Sequence, residues 1–174
     1  MRSRGYLFAL MLAGLPAYTA FAGETAVAST SVVEAAFLYN FALFTEWPAL
    51  PGKEFRICVL GSEDMIKALA PLREKQLKEL PVSITTLDSK AHAQSCQVLF
   101  VGRSRHASIA ELARQIGNAP VMMVSEENSY DPKHVTISLV EQQGKLAFKI
   151  NLTAAQASSL ALSSKLLKLA KQVY

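Results

Sequence analysis

The first apolar pattern in the chain has the spacing of an α-helix. Four large apolar residues lie three or four positions apart, namely Val33, Phe37, Phe41 and Phe44. Residues at this spacing share one face of a helix, so the pattern predicts an amphipathic helix over residues 32–47. We expect Phe37, Phe41 and Phe44 to pack into the core, with an exposed stripe for partner contact as the alternative. Pro48 ends this helix, because proline lacks the backbone N–H that would continue it.

Short apolar runs alternate with helix-forming segments through the middle of the chain. The runs predict strands over residues 55–60, 82–87, 97–101 and 121–124. Ser62 follows the first strand as a helix N-cap, and a further helix is predicted over residues 107–116. Continuous apolar strands that alternate with helices indicate parallel β-α-β units whose sheet is covered on both faces.

The last quarter of the chain has a different period. Residues 135–139 and 146–152 alternate apolar and polar positions, which predicts an antiparallel hairpin with one covered face. Thr153 and Gln156 then form a capping box that opens a closing helix over residues 153–173. Its buried stripe would contain Leu162, Leu166, Leu169 and Val173. The predicted fold class is α/β, with a mostly parallel sheet flanked by helices, a C-terminal antiparallel hairpin and a closing helix.

The first 22 residues have the pattern of a secretory signal peptide. Arg2 and Arg4 precede an apolar run over residues 6–15, and Ala20-Phe21-Ala22 supplies small residues for cleavage after Ala22. A transmembrane anchor is the alternative, but it needs about 20 consecutive apolar residues. We therefore expect an exported protein with a signal peptide at residues 1–22, a flexible leader at 23–30 and a single α/β domain at 31–174.

Composition and charge narrow the class of protein. Apolar residues make up 51% of the chain and charged residues 18%, which is typical of a globular protein rather than of collagen, a coiled coil or a disordered chain. The net charge is +4, and it falls to +2 once Arg2 and Arg4 leave with the signal peptide. The remaining Lys and Arg residues are scattered among acids, so a nucleic-acid partner is not expected.

Cys58 and Cys96 are the two cysteines of the chain, and both lie in strand-like apolar surroundings. In an oxidising compartment they can pair, and such a bridge would stabilise the fold by about 4 kcal/mol in the chain-entropy model. The alternative is two separate buried thiols that act as small apolar residues. The chain has no C-x-x-C motif and no ligand cluster around either cysteine. We therefore expect neither thiol redox catalysis nor a metal or other cofactor.

The segment Gly102-Arg103-Ser104-Arg105-His106 is the main candidate for chemistry. It lies between a predicted strand and a predicted helix, as a hydrolase nucleophile elbow does, but the elbow needs glycine where His106 stands. We therefore expect Ser104 to cap the helix rather than to act as a nucleophile. Arg103, Ser104 and Arg105 together form a candidate binding site for a small anionic ligand.

Seven segments of the chain, in order, resemble the YfiR/HmsC family of periplasmic proteins. They are 33–41 (VEAAFLYNF), 44–48 (FTEWP), 55–61 (FRICVLG), 95–101 (SCQVLFV), 120–124 (PVMMV), 148–152 (FKINL) and 163–170 (SSKLLKLA). The resemblance implies a periplasmic negative regulator that binds the periplasmic domain of an inner-membrane diguanylate cyclase and represses cyclic-di-GMP synthesis. It implies no catalysis. As further partners it implies a second copy of the chain and cell-wall material.

The resemblance also implies a bridge between Cys58 and Cys96, because the family has a cysteine pair at these positions that can form a disulfide. Oxidation and reduction of this pair would then gate repression. An alternative function is a periplasmic binding module for a small anionic or cell-wall-derived ligand at Arg103, Ser104 and Arg105.

Two places in the chain are candidates for partner contact. Trp47 stands between Glu46 and a proline at a helix end, a junction of the kind favoured at interfaces, although packing over the core is an equal alternative. Lys165 and Lys168 lie on the predicted closing helix, where they either steer the protein towards an acidic partner or an anionic membrane surface, or form an ordinary solvated face.

Overall fold

The central feature of the fold is a mixed sheet of eight strands. The structure is a computed structural model that describes residues 29–50, 52–87, 90–126 and 132–174. Within these residues the helices, in chain order, are α1 (Thr30–Leu43), α2 (Glu63–Leu69), α3 (Ile109–Ile116), α4 (Leu152–Ala157) and α5 (Ser164–Leu169). The strands are β1 (Thr45–Glu46), β2 (Phe55–Leu60), β3 (Gln76–Leu77), β4 (Leu80–Thr86), β5 (Val98–Val101), β6 (Met122–Glu126), β7 (Ile137–Gln142), β8 (Lys145–Ile150), β9 (Ala161–Leu162) and β10 (Gln172–Val173). Short 3₁₀ helices lie at Ala70–Glu74, Lys90–Ser95, Arg103–Ser108 and Pro132–His134. The predicted signal peptide and most of the predicted leader lie outside the described residues.

Five parallel strands form the middle of this sheet, in the spatial order β4, β2, β5, β6, β7. The chain runs first from β2 to β4 and then crosses to β5 on the other side of β2. This is the strand order of a doubly wound α/β fold, with its topological switch point between β2 and β5. Antiparallel pairs occur near both edges of the sheet, where β3 pairs with β4 and β8 pairs with β7. The predicted α/β class and mostly parallel sheet are confirmed.

Helices cover both faces of the sheet, which explains why its strands read as continuous apolar runs. Neighbouring residues of β2 belong to different layers: Ile57 lies in a larger apolar cluster with α1 and α2, and Cys58 lies in a smaller cluster with α3. Aromatic rings fill much of the larger cluster, where Phe41 packs edge-on against Phe148 with 4.9 Å between the ring centroids. The sheet is therefore the middle layer of the domain.

Local sequence signals position several element ends. The Met65 backbone N–H donates a hydrogen bond to the Ser62 hydroxyl at 3.2 Å, which caps α2 as the sequence predicts. Gln143 and Gly144 join β7 to β8 with φ values of 52° and 71°. Positive φ at both central positions is the signature of a type I′ hairpin turn. The predicted antiparallel hairpin is confirmed.

Helix α1 differs from the prediction in its end and in its buried face. It ends at Leu43 rather than near Trp47, and Thr45–Glu46 forms β1, which pairs antiparallel with β9. Val33, the first residue of the predicted apolar row, is 36% exposed, whereas Phe37, Phe41 and Phe44 pack in or against the larger apolar cluster as expected. The buried apolar residues form a neighbouring row, namely Ala35, Leu38, Phe41 and Ala42. Phe41 belongs to both rows, so spacing alone could not choose between them.

The prediction of one closing helix over residues 153–173 is wrong. The segment forms α4, β9, α5 and β10 instead. Ser159 breaks the helix with a φ of 54°, and Ser163 starts a new helix because its hydroxyl accepts a hydrogen bond from the Leu166 N–H. Serine favours such local hydrogen bonds over a helix interior. Of the predicted stripe only Leu166 is fully buried, and Leu169 is 64% exposed.

The start of α4 and the end of the chain also differ from the prediction. The cap of α4 is Asn151 rather than Thr153, since the Asn151 side-chain oxygen accepts a hydrogen bond from the Ala154 N–H at 3.0 Å. The last residues form β10, which extends the sheet by pairing with β8. In the part of the chain that the structure describes, no helix is long and apolar enough to cross a membrane.

Candidate functional site

The loops that follow β2 and β5 pack tightly against each other at the carboxyl edge of the sheet. The Ser104 hydroxyl donates a hydrogen bond to the Gly61 carbonyl oxygen at 3.0 Å. A Cβ atom added to Gly102 would lie 2.6 Å from that same oxygen, so the close approach requires glycine there. Ser104 therefore joins two loops, and the N-cap of its 3₁₀ helix is Gly102 rather than Ser104 as the sequence predicted.

This contact divides the edge into two clefts, and the two flanking arginines line different ones. Arg105 and Ser104 line a cleft of about 670 Å³ at the switch point, together with Ser62 and Lys67. We call it the switch-point cleft. Arg103 lines the other cleft, on the α1 side. The structure therefore does not bring the three predicted ligand-binding residues together in one cleft.

The second cleft, which we call the acidic cleft, is lined by Glu34, Arg103 and Glu126 among others and has a volume of about 390 Å³. Glu34 comes from α1 and is 6% exposed, and Glu126 stands at the carboxyl end of β6. The Arg103 Nε atom lies 2.9 Å from the Glu126 Oε2 atom. The cleft therefore combines one ion pair with a second, buried carboxyl group.

Burial, and after it the negative charge of Glu126, raise the pKa of Glu34, and the positive charge of Arg103 lowers it; the net result is a pKa of about 7. His106 is close enough to interact with the same two charged groups, and burial lowers its pKa. Its Nε2 atom is buried without a hydrogen-bond partner in the structure. Near neutral pH, His106 is therefore uncharged, and Glu34 is divided between its protonated and ionised forms.

Sequence reasoning missed Glu34 and Glu126 as members of a site. The predicted apolar row ran through Val33 and did not include Glu34. One signal was available: Glu34 precedes Leu38 and Phe41 by four and seven positions, which puts it on their side of the helix. Glu126 ends a strand at the carboxyl edge of the sheet, where open α/β folds place their binding residues.

Cys58 and Cys96 form a disulfide, with 5.9 Å between their Cα atoms, so the predicted pairing is confirmed. The bridge ties the middle of β2 to the residue that follows the 3₁₀ helix Lys90–Ser95. Both cysteines are buried in the smaller apolar cluster. The bond therefore cross-links the layer that contains α3.

The predicted partner-contact residues lie around the β1–β9 pair. Trp47 is half-buried and packs edge-on against Phe55 with 5.2 Å between the ring centroids, so it does cover the core. The Lys165 ammonium lies 4.7 Å from the centre of the Phe44 ring. Of the four predicted partner-contact residues, Glu46, Lys165 and Lys168 are exposed. We call the surface formed by Glu46, Trp47, Lys165 and Lys168 the ribbon surface.

The comparison with protein families decides what kind of protein this is. The family model described as YfiR/HmsC-like matches residues 31–171. The chain belongs to the YfiR/HmsC-like family. This confirms the resemblance seen in the sequence, and it supports a regulatory rather than a catalytic role in the periplasm. Among the described residues, no group of three or more His, Cys, Asp and Glu side chains is placed to hold a metal ion.

Two solved structures are similar to this YfiR/HmsC-like domain in fold. A conserved domain protein from Vibrio cholerae O1 biovar El Tor is 14% identical, with a TM-score of 0.56 over 84% of this chain and 60% of that one. The ABC domain in complex with L-Trp from Streptococcus pneumonia is 15% identical, with a TM-score of 0.51 over 72% of this chain and 57% of that one. The matched region thus spans about three fifths of each solved chain. At these identities the likeness shows the α/β fold alone.

Proposed function

We propose that this protein is a periplasmic negative regulator that binds the periplasmic domain of an inner-membrane diguanylate cyclase and holds down cyclic-di-GMP synthesis. The observation that carries the proposal is the YfiR/HmsC-like match across residues 31–171. The signal-peptide pattern of residues 1–22 supports it, because the protein must be exported to meet such a domain.

The ribbon surface is the proposed contact with the cyclase. Trp47 offers an aromatic ring that is partly open to solvent, and tryptophan is a frequent anchor of protein interfaces. Glu46 precedes Trp47 at the end of β1, and Lys165 and Lys168 lie three positions apart on α5, which follows the paired strand β9, so the ribbon surface carries charges of both signs. Such an arrangement favours a partner with complementary charges around an apolar pocket.

The bridge would gate this contact indirectly. Cys58 and Cys96 lie in the smaller cluster, whereas Phe44, Trp47 and Phe55 pack in or against the larger one. Reduction would therefore loosen the layer on the other side of the sheet from the ribbon surface. We propose that the redox state sets how much folded repressor is present rather than altering the contact itself.

A direct binding measurement tests this proposal. The purified, disulfide-bonded protein is titrated against the isolated periplasmic domain of the membrane diguanylate cyclase encoded near its gene, by biolayer interferometry. We expect saturable binding that Trp47→Ala and Lys165→Glu each weaken by about tenfold, as loss of an interface anchor does. Lys75→Glu is the matched control, because Lys75 is also exposed but lies outside the ribbon surface. Absence of binding in both the oxidised and the reduced protein would overturn the proposal.

The position of the switch-point cleft favours a second candidate function, the binding of a small anionic or cell-wall-derived ligand. Open α/β sheets bind ligands outside the carboxyl ends of their strands at the switch point. Here Ser62, Lys67, Ser104 and Arg105 line that position. We expect Arg105→Ala to abolish binding of inorganic phosphate or of a soluble muropeptide while cyclase binding survives. Equal binding by this variant would contradict the second candidate.

A further inference from the structure

The acidic cleft contains a largely buried glutamate whose carboxyl group faces the cleft and is bound by none of the described residues. Glu34 is 6% exposed and lines the cleft. Among the described residues, no hydrogen bond or ion pair reaches its carboxylate. A buried carboxylate without a partner is costly, so proteins normally pair it or use it.

The charges around Glu34 do not balance. Among the described residues, the cleft is lined by the carboxylates of Glu34, Glu126 and Glu141 and by one cation, Arg103. The Arg103 guanidinium is already paired with Glu126 at 2.9 Å. One positive charge is therefore missing next to Glu34, and a ligand that carries it would relieve both the burial of this carboxylate and its repulsion by Glu126.

The walls of the cleft indicate what kind of cation fits. Val33, Leu139 and Leu146 line it alongside the charged groups. Its volume of about 390 Å³ is at the small end of the range for ligand pockets. A divalent metal needs six or more oxygen ligands or a tight set of nitrogen and sulfur ligands, which the described residues do not bring together. An organic cation with an apolar stem suits these walls better.

We propose that the acidic cleft binds a primary ammonium group carried on a short aliphatic stem, with the Glu34 carboxylate as its counter-ion. The ammonium donates to Glu34 and lies near Glu126, and the stem packs against Val33 and Leu146. Such a group occurs on free alkylamines and on the lysine side chains of peptides. The site lies at the carboxyl edge of the sheet, away from the ribbon surface beside Phe55 at the amino end of β2.

Binding of an ammonium group should release a proton. The pKa of Glu34 is about 7 without a ligand, and a bound cation favours the ionised form. The charged groups around it are Arg103, Glu126 and Glu141, and the neighbouring His106 is uncharged near neutral pH. Affinity for an amine that stays protonated throughout should therefore increase about tenfold from about pH 6 to about pH 8.

The experiment is a titration of the full-length, disulfide-bonded protein followed by ¹H–¹⁵N NMR. The probes are n-butylamine, its neutral counterpart n-butanol, and Nα-acetyl-lysine amide. We expect the two amines to shift the amide signals of Val33 and Gly144, and n-butanol to leave them in place. Tighter binding of n-butylamine identifies a free amine as the natural ligand type, and tighter binding of the lysine derivative identifies a peptide side chain.

Two variants with opposite expected effects make the test decisive. Glu34→Gln keeps the shape of the side chain but removes the charge, and should weaken n-butylamine binding at least about tenfold. Arg103→Gln removes the competing cation and should strengthen binding severalfold. Glu74→Gln, at an exposed acid elsewhere, is the control and should change nothing. Equal binding of n-butanol, unchanged binding by folded Glu34→Gln, or weaker binding by Arg103→Gln would each overturn the proposal.

Discussion

The two layers that cover the sheet are stabilised in different ways. On one face, α1 and α2 pack a large cluster rich in aromatic rings, with Phe41 and Phe148 in edge-on contact. On the other face, α3 covers a smaller cluster that contains the Cys58–Cys96 bridge. A small apolar layer gains less from burial, and a covalent link can make up the difference. The disulfide therefore belongs to one layer, and the proposed contact surface belongs to the other.

The largest expected effect comes from a cavity in the larger layer. Phe41 is 1% exposed and contacts the ring of Phe148. Phe41→Ala should lower the free energy of unfolding by about 3 to 5 kcal/mol, because the ring is lost and the space is only partly refilled. Urea unfolding followed by circular dichroism measures this change. A loss below about 1 kcal/mol would show that this layer is far less tightly packed than the ring contacts indicate.

Removal of the bridge tests the smaller layer. The Cys58→Ser/Cys96→Ser variant should lose about 3 to 4 kcal/mol of unfolding free energy, since the cysteines are 38 residues apart and the unfolded chain gains the freedom of that loop. The same urea experiment measures it. The affinity of the folded variant for the cyclase domain, measured well below its melting temperature, should stay within about threefold of the oxidised protein. A much larger loss of affinity would contradict an indirect gate.

Glu34 gives the larger layer a pH dependence. The folded protein holds the Glu34 proton more tightly than the unfolded chain, because its pKa rises from 4.5 to about 7. Below about pH 4, burial of Glu34 therefore does not lower the free energy of unfolding. The free energy of unfolding falls as the pH rises from 4.5 to about 7. Glu34→Gln should then be more stable than the natural protein at pH 8, by up to about 3 kcal/mol, and no more stable at pH 4.

Thermal unfolding of both proteins across this pH range measures the effect of Glu34. The exposed replacement Glu74→Gln serves as the control and should show no such trend. A constant difference between Glu34→Gln and the natural protein at all pH values would contradict the buried-carboxyl account.

The smallest expected effect concerns a helix cap at the edge of the larger layer. Ser62→Ala removes the hydroxyl that accepts from the Met65 N–H, and should cost about 1 kcal/mol. Ser108→Ala is the matched control, because Ser108 precedes α3 without a side-chain capping bond. Its effect should stay within about 0.5 kcal/mol, as measured by urea unfolding. Equal losses in the two variants would show that capping does not stabilise α2.

Much of the fold could be predicted from local patterns. The continuous apolar runs of β2 and β5 predicted strands covered on both sides, and the alternation around Phe148 predicted the hairpin. The break in the predicted closing helix could not be foreseen. The leucines of this segment have helical spacing, whereas the break depends on the backbone of Ser159 and on the pairing of β9 with β1. Tertiary contacts overrode local propensity there.

The candidate sites were less accessible to sequence reasoning. The two cysteines left either a bridge or two buried thiols open, and the family resemblance implied the Cys58–Cys96 bridge that the structure contains. The separation of Arg103 from Arg105 could not, since it depends on the Ser104 hydrogen bond across the edge of the sheet to Gly61. The burial of Glu34 depended on which of two overlapping apolar rows faces the sheet, and only the packed structure decides that.

The most direct test of the proposed function is the cellular level of cyclic-di-GMP after deletion of the gene. Quantification by mass spectrometry should show a rise that the intact gene restores to the starting level and that a gene encoding Trp47→Ala does not, at equal protein abundance. This result would link repression to the ribbon surface. An unchanged cyclic-di-GMP level in the deletion strain, in cells that express the neighbouring cyclase, would contradict the account.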